Sequence, residues 1–134
     1  MMKNVEHIGI ATADLAAAEA VYSALFNVQP YKRESVESEQ VTTSFFKINQ
    51  TKIELLEATG PDSAIARFIE KKGEGIHHIA FEVEDIVAEM ERLRNAGFIL
   101  LNDVPRQGAD NKLVCFVHPK SANSVLIELC QEIR

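Results

Sequence analysis

Residues 5–11, Val5-Glu6-His7-Ile8-Gly9-Ile10-Ala11, alternate apolar positions with polar or small ones, the period of a half-buried strand. After Asp14, a helix-capping residue, the period lengthens. Leu15, Ala18, Val21, Tyr22, Leu25 and Phe26 fall along one face of a helix spanning Leu15 to Phe26, which Asn27 and Pro30 stop. Strand-like runs follow near 31–37, 41–48 and 52–57. The same order then returns as a strand over 76–83, a cap at Asp85, a helix from Ile86 to Ala96, a stop at Gly97, and strands near 98–102, 112–117 and 124–130. Between the two series Gly60-Pro61-Asp62 breaks the pattern, a short helix runs from about Ser63 to Lys72, and Gly73-Glu74-Gly75 ends it.

The return is a repeat. An offset of 71 residues carries His7 onto His78, Ile8 onto Ile79, Asp14 onto Asp85 and Leu15 onto Ile86. Near the end of each half an offset of 74 carries Lys52-Ile53-Glu54-Leu55-Leu56 onto Leu126-Ile127-Glu128-Leu129-Cys130. The pattern predicts an α+β fold of two tandem βαβββ modules forming a curved mixed sheet. Module one covers about 1–59, a linker helix about 60–75, and module two about 76–134, all within one domain.

Strand alternation sorts the histidines. His7, Gly9 and Ala11 face away from the helix-packing set Ile8 and Ile10, and His78, Ala80 and Glu82 repeat that placement in the second half. Small residues two positions on leave room beside each imidazole. Glu54 and Glu128 stand among apolar neighbours, where an ionised carboxylate costs several kcal/mol unless it is paired, hydrogen-bonded or bound to a metal. Two imidazoles and two carboxylates around one point form a mixed nitrogen–oxygen site suited to an octahedral divalent cation with two positions open. A lone strand histidine is more often structural and a lone mid-strand glutamate often lies at a sheet edge, but recurrence at matched positions argues against coincidence. His77 belongs to the helix-facing side and reads as structural. His118, in the turn His118-Pro119-Lys120-Ser121, suits either a cap or the rim of a substrate site.

Composition narrows the function class. The 134 residues carry 14 basic and 20 acidic side chains, a formal net charge of −6, which disfavours nucleic acid as a partner. No apolar run approaches the ~20 residues of a membrane helix, and the start of the chain lacks the apolar core of a signal peptide, so a cytoplasmic protein without membrane association is expected. Cys115 and Cys130 form no CxxC pair and read as small buried apolar residues.

Four stretches resemble the methylmalonyl-CoA epimerases of the vicinal oxygen chelate superfamily, which also holds glyoxalase I, extradiol dioxygenases and bleomycin-resistance proteins. They are Val5 to Ala11, Lys52 to Glu57, Gly73-Glu74-Gly75-Ile76-His77-His78-Ile79-Ala80-Phe81, and His118-Pro119-Lys120-Ser121 with Val125-Leu126-Ile127-Glu128-Leu129. The resemblance covers nearly the whole chain. It implies a divalent metal, Co²⁺ first and Mn²⁺, Ni²⁺, Zn²⁺ or Fe²⁺ after it, held by His7, Glu54, His78 and Glu128. Some members carry glutamine where Glu54 stands. The implied reaction interconverts the two epimers of methylmalonyl-CoA through an α-proton abstraction, with Glu128 and Glu54 as the catalytic carboxylates, and the implied assembly is a homodimer.

Two departures from the resemblance stand out. A second base of some members would fall near Ser44, yet Thr42-Thr43-Ser44-Phe45 holds no carboxylate. The loop after the HPKS motif is Ala122-Asn123-Ser124 rather than glycine-rich. For the acyl-CoA substrate, Lys112, Lys120 and Arg106 are candidate local contacts, with solvated surface charge as the competing reading. A glyoxalase I type lyase and a non-enzymatic bleomycin-binding protein are the alternative functions on the same frame.

Overall fold

In the computed structural model, which describes residues 1–133, the chain divides into two compact units: residues 7–77, and residues 78–134 together with 1–6. Each unit is built on a four-stranded mixed sheet with one parallel pair. In the first, β1 (Met2–Ala11), which begins in the other unit, leads through α1 (Leu15–Phe26) to β2 (Lys32–Val36), β3 (Val41–Ile48) and β4 (Thr51–Ala58), in the order β2-β3-β4-β1. β1 and β4 run parallel and the other pairs antiparallel. In the second, β5 (Gly75–Val83), α3 (Ile86–Asn95), β6 (Arg106–Gly108), β7 (Lys112–Val117) and β8 (Ile127–Glu132) give the order β5-β8-β7-β6, with β5 parallel to β8. The linker helix α2 (Ala64–Lys72) belongs to the first unit.

The helices start where the sequence places them, and for the same reason twice. Asp14 accepts from the Ala17 N–H and Asp85 from the Ala88 N–H, each at 3.1 Å. A second acceptor, absent from the sequence reading, completes each cap. Glu57 Oε2 accepts the Leu15 N–H at 2.8 Å, and Gln131 Oε1 accepts the Ile86 N–H at 2.7 Å. Both acceptors reach back from the last strand of their sheet, three residues beyond Glu54 and Glu128, and so tie the helix to the strand that carries the glutamate.

On one face of the first sheet, Phe46 and Leu55 are sealed under Leu15, with Ile10, Ala18, Tyr22, Phe26 and Ile53 around them. Val21 and Leu25, expected on this buried stripe, are 62% and 68% exposed. The stripe that packs is 15, 18, 22 and 26, and the next flank of the helix turns outward. The second unit packs Ile86, Met90 and Leu93 of α3 on Val83, Cys115, Val117 and Leu129. Glu89 of α3 is buried and bonded to Arg92, whose guanidinium holds its carboxyl down at about 2. Cys115 and Cys130 are buried free thiols, as expected, and burial pushes the Cys115 thiol up.

Two expected strands move. Residues 98–102 make a single bridge, Leu100 to Val117, and the edge strand is instead β6, after Pro105. The last strand starts at Ile127 rather than 124, because Asn123 and Ser124 take positive φ (54° and 70°), which an extended strand excludes. No helix among the described residues is long and apolar enough to cross a membrane.

Candidate active site

The strand registers place the predicted site residues in matched settings. In the first unit Gly9 of β1 lies opposite Glu54 of β4, and in the second Ala80 of β5 lies opposite Glu128 of β8. Each glutamate thus faces the small residue two positions after its histidine, and the lack of bulk there lets carboxylate and imidazole meet. His7 Nδ1 lies 3.1 Å from Glu54 Oε2, and His78 Nε2 lies 3.2 Å from Glu128 Oε1. All four residues are buried, with 5–6% exposure.

These spacings suit metal donors. Two donors each about 2.1 Å from one divalent ion and at a right angle would stand about 3.0 Å apart. The donor chemistry is that of imidazole and carboxylate, accommodating to cobalt, manganese, nickel, zinc or iron. Each unit therefore supplies one buried nitrogen and one buried oxygen in ligand-like contact, and these residues fit a divalent metal.

The surroundings differ in function. Phe45 is the register partner of Glu54 on β3, and Phe116 holds the same place beside Glu128 on β7. Phe116 also meets the His78 ring edge-on at 6.0 Å, fixing its plane. The Tyr31 and Phe45 rings are 6.0 Å apart, and the Lys32 ammonium sits 4.6 Å above Phe45. Apolar walls of this kind limit water beside the His–Glu pairs.

Other residues take structural duties. His77 meets Phe68 of α2 edge-on at 5.0 Å. His118 caps the turn at Pro119–Ser121, its Nδ1 accepting the Lys120 N–H at 3.0 Å. Lys112, read from sequence as a candidate coenzyme contact or a solvated charge, is neither: it is buried, 3.5 Å from Glu132 and 4.0 Å from Glu6. Lys120 and Arg106 are exposed. Ser44 is fully buried on the helix side of β3, where it donates to Glu19 at 2.5 Å. Arg33 also grips Glu19, and its guanidinium holds that carboxyl below the usual carboxylate range. On β3 the residues on the face of Glu54 are therefore Thr43 and Phe45, not Ser44.

The pattern of the glyoxalase/bleomycin resistance protein/dioxygenase superfamily matches residues 6–116. The chain belongs to that superfamily. It is 42% identical over 133 residues to an ethylmalonyl-CoA/methylmalonyl-CoA epimerase of Cereibacter sphaeroides, covering 98% of this chain and 99% of that one. Among solved structures, a variant of the Streptomyces coelicolor methylmalonyl-CoA epimerase bound to 2-nitronate-propionyl-CoA superposes with a TM-score of 0.95 at 35% identity, covering all of both chains. A methylmalonyl-CoA epimerase solved with methylmalonyl-CoA and ammonium gives 0.94 at 36% identity, covering 98% of this chain and 96% of that one. The α+β fold of two βαβββ modules expected from the repeat is thus the glyoxalase-like fold of this chain.

Proposed function

We propose that this protein is a metal-dependent epimerase that interconverts (R)- and (S)-methylmalonyl-CoA, with His7, Glu54, His78 and Glu128 as the ligands of one divalent cation, cobalt first among the candidates. The observation that carries this reading is the doubled His–Glu pair, buried and at the same register in both units. Its relatives, similar over nearly the whole chain, are named for this substrate. The bound cation supplies positive charge for the oxygen of the enolate, a stabilisation of several kcal/mol.

The chain's own residues do the rest. Gly9 and Ala80 present no side-chain bulk in front of the carboxylates. The thioester acidifies the α-proton, and Glu128 accepts it on one side of the carbon. Epimerisation requires delivery from the other side, and Glu54 is the counterpart of Glu128 in the first unit. Phe45 and Phe116 keep bulk water from the planar intermediate. A cytoplasmic homodimer completes the reading, and sedimentation of the purified protein tests its assembly.

The decisive experiment is α-proton exchange of methylmalonyl-CoA in deuterated water. Exchange should vanish with chelator and return on addition of cobalt. Absence of exchange with every divalent metal tried would reject the epimerase reading. Ethylmalonyl-CoA, named with one relative, is the second substrate to test.

A further inference from the structure

The two units differ on the outer flank of their aromatic residues. Phe45 of the first unit has a continuous strand beside it, with Lys32 of β2 as register partner, and its carbonyl accepts the Tyr31 N–H at 2.9 Å. An offset of 70 residues carries Tyr31 and Lys32 onto Leu101 and Asn102. The first contact recurs, because the Phe116 carbonyl accepts the Leu101 N–H at 2.8 Å. The second does not. The chain leaves β7 after Leu101 and rejoins it at β6, where Arg106 lies opposite Val114, so the Phe116 N–H faces a break in the ladder.

Asn102 closes that break with its side chain. Its Oδ1 accepts the Phe116 N–H at 2.9 Å, in the place a strand carbonyl would hold. The acceptor is itself held. The Arg94 guanidinium, from the last turn of α3, donates to the Asn102 carbonyl at 3.3 Å and to the Asp103 carbonyl at 2.6 Å. What this clasp fixes belongs to the site face of the second unit. Phe116 lies opposite Glu128, packs on Ala80, Val114 and Cys130, and meets the His78 ring edge-on.

We infer that Asn102 is a positioning residue for the second His–Glu pair. It stands in for a missing strand partner, sets the Phe116 backbone, and through the Phe116 ring holds the His78 imidazole in one plane beside Glu128. Its effect on turnover rests on the epimerase reading, whereas its effect on His78 rests on these contacts alone. An imidazole already held in one orientation offers its lone pair without first losing rotational freedom, so a metal binds it more tightly. Asn102 acts through Phe116, and its loss should weaken metal binding and slow turnover while leaving substrate affinity unchanged.

The test compares Asn102→Leu, similar in size but without an acceptor, with Asn102→Asp, which keeps one. Proton NMR of the full chain reads the Phe116–His78 ring contact, and competition titration reads zinc affinity. Asn102→Leu should lose the ring contact, bind zinc about tenfold more weakly and lower kcat about tenfold, with KM within about twofold of wild type. Asn102→Asp should restore the contact and bring zinc affinity and kcat to within about threefold of wild type. If Asn102→Leu does not fold, Arg94→Gln, an exposed change that frees only the loop, decides by the same readouts moving in the same direction. A lower urea midpoint with ring contact and zinc affinity unchanged overturns the inference, as do equal losses in Asn102→Asp and Asn102→Leu. Wild-type protein with the ring contact and bound zinc but no epimerisation would instead defeat the epimerase reading.

Discussion

At the register position where the first unit carries Glu34 opposite Thr43, the second carries Arg106 opposite Val114. Where the first has Val41 opposite Ala58, the second has Lys112 opposite Glu132. Yet the Asp caps, the second acceptors Glu57 and Gln131, the His–Glu pairs and the aromatic partners Phe45 and Phe116 coincide. Duplication has kept what positions the donors and let the outer strands diverge. The divergence has a packing cause in one case. α2 covers Ala11, Val41, Leu56 and Ala58 of the first unit with Ile65, Phe68 and Ile69, so that end of the sheet must be apolar. The second unit has a lysine there instead, held by Glu6 and Glu132.

This comparison can be broken most severely at the two glutamates. Glu128→Gln should reduce epimerisation by about 10³-fold and resist rescue by excess cobalt, because a proton acceptor is lost. Glu54→Gln still offers a lone pair to a metal but loses the acid–base group of the first unit, so epimerisation should fall by about 10²-fold. Equal, unrescued losses in steady-state assays would show that the units share the proton chemistry evenly.

A smaller effect separates the sheet ends. Lys112→Ala should destabilise by about 3 kcal/mol, because it leaves Glu6 buried without its cation, whereas Val41→Ala should cost about 1 kcal/mol. Urea midpoints at constant slope would measure both, and equal midpoints would erase the distinction drawn between the units.

The smallest effect lies at the caps. A carboxylate accepting a helix N-terminal N–H outperforms an amide there by the charge it brings to the positive end of the dipole. Gln131→Glu should therefore stabilise the second unit by about 0.5 kcal/mol and Glu57→Gln should weaken the first by a similar amount. Thermal midpoints moving oppositely for the two swaps would confirm the equivalence of the caps, and movement in one direction would deny it.

How much of this was legible in the sequence depends on range. The strands bearing His7, Glu54, His78 and Glu128, and the start of each helix, follow from alternation and from Asp14 and Asp85, signals that are local and repeated. The burial of Lys112 was not legible, because its partners Glu6 and Glu132 lie far away in sequence and an isolated lysine reads as surface. The second caps were hidden for the same reason: Glu57 and Gln131 reach helices some 40 residues earlier. The edge strand was misplaced because Phe98, Ile99 and Leu101 look like a strand, yet all are exposed in a loop whose backbone bonds run to β7 only at isolated points.

The parallel pairing of the first strand of each unit with its last has a consequence for metal uptake. His7 and Glu54, like His78 and Glu128, are separated by almost the full length of a βαβββ series, so neither pair forms until its entire series has closed. An unfolded or half-made chain holds no preformed donor pair, and an ion that binds only the native chain acts as a thermodynamic clamp upon it. Each tenfold excess of free ion above its dissociation constant then adds about 1.4 kcal/mol to the cost of unfolding, so the melting temperature of this protein should report the metal supply of its surroundings.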